Sequence, residues 1–285
     1  GLPLYHVKIS DNVSVNENEP ELLYTAIHHA REPQSLTQLI FYMWYMLENY
    51  ATDDEVKYLV DNTQMYFVPM VNPDGYIYNE TTDPNGGGMW RKNRRNNGDG
   101  TDGVDLNRNY GYEWGIDNQG SSPNTSSETY RGLSAFSEQE TRAVAWLSEQ
   151  HQFTLALNYH AYGNYLIYPW GTGTVLTPDS NTFIALATEM TRVNNYVFGT
   201  GVQTVGYNVN GDSDDWMYGE NTTNNKIYSL TPEVGPSFWP PQQDILDLNK
   251  ACVAMNIATA QLTGNLYEIQ SVTDSPIREE VDKIV

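Results

Sequence analysis

The sequence predicts an α/β fold in which a mostly parallel sheet is sandwiched by helices, as one domain over residues 1–269. Three observations predict it. Short apolar runs rich in β-branched and aromatic residues occur at 4–9, 22–27, 65–70, 153–159, 165–170 and 227–230, each of strand length. Longer segments with apolar residues at helical spacing fall between them, and such alternation builds a largely parallel sheet. No internal repeat or low-complexity block divides the chain.

In chain order, the runs at 4–9 and 22–27 are strands, and 33–49 is a helix with Pro33 in its first turn, where a missing N–H costs nothing. The run at 65–70 is the next strand. Residues 79–103 are dominated by Asn, Gly, Asp and Thr, with three glycines at 86–88; this predicts a long irregular loop of the kind that carries function. A helix over 137–149 opens on Ser137 and Glu140 at capping-box spacing. Strands at 153–159 and 165–170, a helix at 182–194, a strand at 227–230 and a helix at 244–262 complete the pattern. Residues 270–285 read as a C-terminal tail or linker.

Charge narrows the function. Asp and Glu total 36 against 15 Lys and Arg, a net charge of −21 that repels nucleic acid and anionic lipid. The longest apolar run, 39–47, has nine residues, against the roughly 18–20 of a membrane span. The single cysteine, Cys252, permits no intrachain disulfide. No basic-then-apolar leader precedes Gly1, and 21 tyrosines with few lysines point to an exported, bacterial protein, secreted or periplasmic.

Positive charge is scarce and clustered: Arg91, Lys92, Arg94 and Arg95 sit in the irregular loop, and Arg31 and Arg108 lie among polar residues. Each arginine alone reads equally as solvated surface. His29 and His160 each follow a strand-like run, at the sheet edge where α/β sites form. His29 and Glu32, with two residues between them at a helix entry, can turn toward one cation, and a second imidazole would complete three ligands, leaving zinc an open position. The spacing alone also fits a capping Glu and a core His. Glu233 follows a strand in a turn bounded by Pro232 and Gly235, suited to a general base or to bonding backbone amides.

Taken together and in order, these segments resemble the zinc carboxypeptidase family, whose familiar members are the pancreatic A and B enzymes. The matching segments are Ile27-His28-His29-Ala30-Arg31-Glu32, Val71-Asn72-Pro73-Asp74-Gly75-Tyr76, Met89-Trp90-Arg91-Lys92-Asn93-Arg94, Asp105-Leu106-Asn107-Arg108-Asn109, Asn158-Tyr159-His160-Ala161-Tyr162, Tyr207 with Gly211, Ser213, Asp215 and Trp216, and Glu233. The resemblance spans 1–262 and is closer to bacterial, broad-specificity members. It implies an eight-stranded mixed sheet with one zinc at its carboxyl edge, Gly1-Leu2-Pro3 aligning after the family's first helix and strand. It makes His29, Glu32 and His160 the zinc ligands, with His28 only a neighbour. Glu233 is then the catalytic carboxylate, and Arg94 polarises the scissile carbonyl. Arg31 and Arg91 line the approach, and Asn107, Arg108 and Tyr207 hold the terminal carboxylate. The selectivity position falls on Asp214, with Asp212 nearby, which points to release of Lys or Arg or to mixed specificity.

The expected activity is zinc-dependent hydrolysis of the C-terminal bond of peptides or proteins by a monomer. Two alternatives are a peptidoglycan-peptide hydrolase acting at γ-glutamyl linkages to diamino acids, and a silent binding module. Asp99, Asp102 and Asp105 are spaced suggestively for a surface Ca2+, without a complete coordination pattern.

Overall fold

The computed structural model describes residues 1–173 and 175–272, with side chains through residue 264. Its elements are β1 (Val7–Ile9), β2 (Glu21–Ala26), α1 (Pro33–Asn49), α2 (Asp54–Asn62), β3 (Gln64–Val68), α3 (Pro73–Thr82), α4 (Gln139–Gln150), β4 (Phe153–Tyr159), β5 (Tyr165–Ile167), α5 (Ser180–Met190), β6 (Val197–Gly199), α6 (Gly201–Thr204), α7 (Ser213–Gly219), β7 (Tyr228–Glu233) and α8 (Ile245–Val272). Thirteen residues of the predicted tail, 273–285, lie outside the described residues; 270–272 belong to α8.

The strands form one mixed sheet in the order β1-β3-β2-β4-β7-β5-β6. The described residues thus give seven strands where the resemblance implies eight. The central four, β3, β2, β4 and β7, are parallel, and antiparallel neighbours β1 and β5 flank them. The chain leaves β2 toward β3 on one side and returns later as β4 on the other. That reversal opens a crevice beyond the carboxyl ends of β2 and β4, where ligands bind in open α/β sheets.

Burial on both faces explains the continuous apolar character of the central strands. Leu22, Tyr24 and Ala26 of β2 join Met65, Phe67, Leu155 and Leu157 on the face covered by α1, α5 and α8; Leu23, Tyr66, Val68 and Ala156 face the other way. Phe153 breaks the alternation of β4, and the register between β2 and β4 shifts at that point, the extra residue of a bulge reversing parity. Cys252 of α8 is fully buried in the first cluster, its thiol pushed up to about 12 by burial.

Local signals account for several boundaries. Asp53 caps α2 by accepting from the amides of Glu55 and Val56, and Asn72 caps α3 with Pro73 in the first turn. The predicted capping box of α4 does not form: the helix starts at Gln139, and Ser137 Oγ instead donates to Glu138 Oε1 at 2.6 Å.

Candidate metal and substrate site

The turn out of β2 builds the first half of the site. Ile27 has φ 55°, an uncommon conformation for a β-branched residue; its amide binds Ser35 Oγ and its carbonyl accepts from Asn72 N–H. The bent backbone carries His28 and His29 past the sheet edge. Glu32 occupies the N-cap of α1 but makes no capping bond, because its carboxylate turns back to the histidines. His160 arrives from the end of β4, and a parallel bridge sets it beside Glu233.

His29, Glu32 and His160 are buried and bring one ligand atom each within 4.8 Å of one another. His29 Nδ1 lies 2.9 Å from Glu32 Oε1, and His160 Nδ1 lies 2.9 Å from Glu32 Oε2 and 3.0 Å from His29 Nδ1. On its far side, His29 Nε2 is 3.0 Å from Asp105 Oδ1. An ionised carboxylate accepts only, so Asp105 fixes the proton on Nε2 and leaves the Nδ1 lone pair facing the Glu32 oxygens. Such acceptors repel one another unless a cation sits among them, and two imidazoles with a carboxylate suit zinc. The donor set therefore fits the metal, with Asp105 orienting its ligand as second partners of metal-bound histidines do.

Electrostatics agree. Burial alone would raise the Glu32 carboxyl, yet His29 and His160 hold it below the usual range. Burial works the same way on Asp105, and Arg91, His29 and Arg108 bring it well below. His28 is not part of the trio. Its Nε2 bonds Tyr110 Oη at 2.8 Å, and burial followed by the two neighbouring histidines push its pKa well down.

The trio opens into a cavity of about 380 Å³. Every sequence-predicted site residue except Arg94 lines it. Arg91 is gripped by Asp105 through Nε (3.0 Å) and Nη2 (2.9 Å), and its Nη1 stands 3.9 Å from Glu32 Oε1. Arg94 turns away: its guanidinium stacks over Tyr78 (3.8 Å) and Trp90 (4.3 Å) and pairs with Asp102 at 2.8 Å. The guanidinium beside the metal trio is Arg91, not Arg94. Arg108 is 4% exposed and spends Nε and Nη1 on the carbonyls of Gly120 and Asn107. Among the described residues no carboxylate lies within ion-pair distance of it. Asn107 is held by accepting from Ser213 N–H and Oγ–H. Arg31 lies at the rim, over Phe238 and 3.5 Å from Glu128; Tyr207 is half exposed on the loop before α7. Burial and the charge of Glu32 raise the Glu233 carboxyl well above its ordinary value.

Three further acids, Asp212, Asp214 and Asp215, line the cavity. Asp214 accepts from Asn158 Nδ2 (2.9 Å) and Ser229 Oγ (2.6 Å), so it lines the cavity rather than capping α7; the cap is Asp212. The expected calcium site does not form, because its three acids have other partners. Asp99 accepts from Thr101 and Thr125, Asp102 pairs with Arg94, and Asp105 serves His29 and Arg91. Sequence reasoning placed Asp105 in the wrong group; its signal was its place two residues before Asn107.

The chain belongs to the zinc carboxypeptidase family, peptidase M14, which it matches over residues 1–253. A zinc carboxypeptidase of Saccharothrix mutabilis subsp. capreolus is 33% identical over 260 residues, covering 84% of this chain and 57% of the relative. Carboxypeptidase B of Bos taurus is 30% identical over 280 residues, 94% of this chain and 64% of the relative. The chain thus spans less than two thirds of the length of these curated relatives. Among solved structures, the carboxypeptidase A of Helicoverpa armigera matches with a TM-score of 0.79 at 25% identity, over 93% of this chain and 66% of that one.

Proposed function

We propose that this chain is a zinc-dependent metallocarboxypeptidase that removes the last residue of peptides or proteins, favouring Lys and Arg. One observation carries the exopeptidase reading. Arg108, a buried guanidinium without a carboxylate partner among the described residues, shares a cavity with the metal-binding trio and Glu233. A guanidinium fork pairs bidentately with a carboxylate, so the site demands a free chain end.

His29, Glu32 and His160 would hold the zinc, which when bound supplies a Lewis acid that polarises a carbonyl and lowers the pKa of water to roughly 7. Arg108, with Asn107 and Tyr207, binds the terminal carboxylate and so fixes which peptide bond lies beside Glu233. Glu233 takes the proton of the attacking water on its carboxylate and returns it to the nitrogen of the departing residue. Its raised pKa suits a group that must both accept and donate. Arg91, locked by Asp105, directs Nη1 toward the charge that develops on the carbonyl oxygen. The aspartates that line the cavity favour a cationic side chain. The tyrosine-rich, strongly acidic composition supports an exported enzyme.

The test is release of the terminal residue from matched peptides ending in Lys and in Phe, with and without a chelator. Chelator-sensitive release, Lys over Phe, is expected. No release from the zinc-loaded protein would sink the reading and favour the cell-wall or silent-binding alternatives.

A further inference from the structure

We propose that Asp212, rather than Asp214, is the carboxylate that receives the cationic side chain of the departing residue. This rests on the carboxypeptidase reading and names its specificity-determining group. Asp212, Asp214 and Asp215 stand together at the start of α7, all line the cavity, and they are 6%, 6% and 1% exposed. Among the described residues none of them has a Lys or Arg within ion-pair distance.

Their oxygens differ in what they already hold. Asp215 accepts the Gly171 N–H with both, at 2.9 and 3.0 Å. Asp214 is engaged by Asn158 and Ser229, and the Thr231 side chain also hydrogen-bonds to it. Asp212 uses Oδ1 to accept Asp215 N–H at 3.0 Å, the cap of α7, while its Oδ2 is buried with no partner. A buried charged oxygen without a donor is costly, and an incoming ammonium or guanidinium offers the missing hydrogen bond with opposite charge.

Gly171 leaves that oxygen open. A Cβ built there would stand 3.0 Å from Asp212 Oδ2, and the backbone of Gly171 is not in the left-handed region, so the conformation does not require glycine. The absent side chain is a window between Oδ2 and the cavity that Gly171 also lines.

The test uses the zinc-loaded full chain and two readouts. One is the ratio of kcat/KM for otherwise identical peptides ending in Lys and in Leu. The other, independent of turnover, is the calorimetric affinity ratio of (2-guanidinoethylmercapto)succinic acid to benzylsuccinic acid. Asp212→Asn keeps the cap through its amide oxygen and removes the charge. It should lower both ratios by at least about tenfold, and by more than Asp214→Asn does. Gly171→Ala, which closes the window with Asp212 intact, should lower them in the same direction. A smaller loss in Asp212→Asn, or an equal or larger one in Asp214→Asn, overturns the assignment, as does a wild type that prefers Leu. If no peptide is cleaved, the carboxypeptidase reading falls and the affinity ratio alone decides between the two aspartates.

Discussion

Two groups of buried carboxylates, Glu32 with Asp105 beside the metal trio and Asp212, Asp214 and Asp215 at the start of α7, have pKa values that move in opposite directions. At the metal end, burial pushes Glu32 and Asp105 up, but His29, His160 and Arg91 outweigh it and both end low. At the start of α7 burial is opposed by hydrogen bonds and, on Asp212, by the charge of Arg108, but it is not outweighed, and Asp214 and Asp215 are pushed further up by neighbouring aspartates; all three end high, Asp214 at about 7. Burial is the largest influence on each group, yet it sets the outcome only where opposing charges and hydrogen bonds are too weak to cancel it.

That contrast can be broken or sharpened. The largest effect is expected at Glu233, which belongs to neither group: Glu233→Gln should lower turnover by at least about 10³-fold while metal analysis finds zinc still bound. Activity above a tenth of wild type would remove Glu233 from the proton path. Next is Asp105→Asn, which keeps the shape and removes the charge that fixes His29. Zinc affinity, read by competition with a chromophoric chelator, should fall about 10- to 100-fold, and unchanged affinity would mean the metal end does not depend on its built-in partner.

The smallest effect tests the aspartates of α7 through stability. Asp214 binds its proton more tightly folded, at about 7, than unfolded, at about 3.9, so the folded chain is favoured at low pH and loses that advantage as pH rises through about 7. Asp214→Asn should therefore raise the melting temperature increasingly between pH 4 and pH 7, reaching roughly 3 °C or more and then levelling off. A gain equal at pH 4 and pH 8 would show that the charge on Asp214, disfavoured by burial and by Asp212, is not its source.

How much of this was legible depends on whether the signal was local. The central strands and α1 were readable because continuous apolar runs and an N-terminal proline carry their own explanation, and α1 spans the predicted residues. Four helices, α2, α3, α6 and α7, and the strand β6 escaped, and the last turn of α3 takes up residues 79–82 of the expected loop. Helix α2 had a usable signal in Asp53 followed by two acids, whereas α7 and β6 are short and set by tertiary contacts. The metal trio was legible because each histidine directly follows a strand. Arg94 was misplaced because four basic residues within five positions look alike until the loop's path is known. Ala30 N–H to Arg91 O pins that path at 2.9 Å, which turns Arg91 inward and lays Arg94 on the rings of Tyr78 and Trp90. Asn158, linking Thr25, Asp214 and Ser229 across three strands and a helix, had no sequence signal of its own.

The sealed position of Cys252 has a practical consequence. With its thiol fully buried and its pKa near 12, the chain's one natural cysteine is inert to maleimides at neutral pH. A cysteine introduced at the exposed Val202, on the short helix preceding Tyr207, would be the single point a dye attaches. The native sequence is thus already a background for site-specific fluorescence, able to report whether the Tyr207 loop moves when a peptide enters.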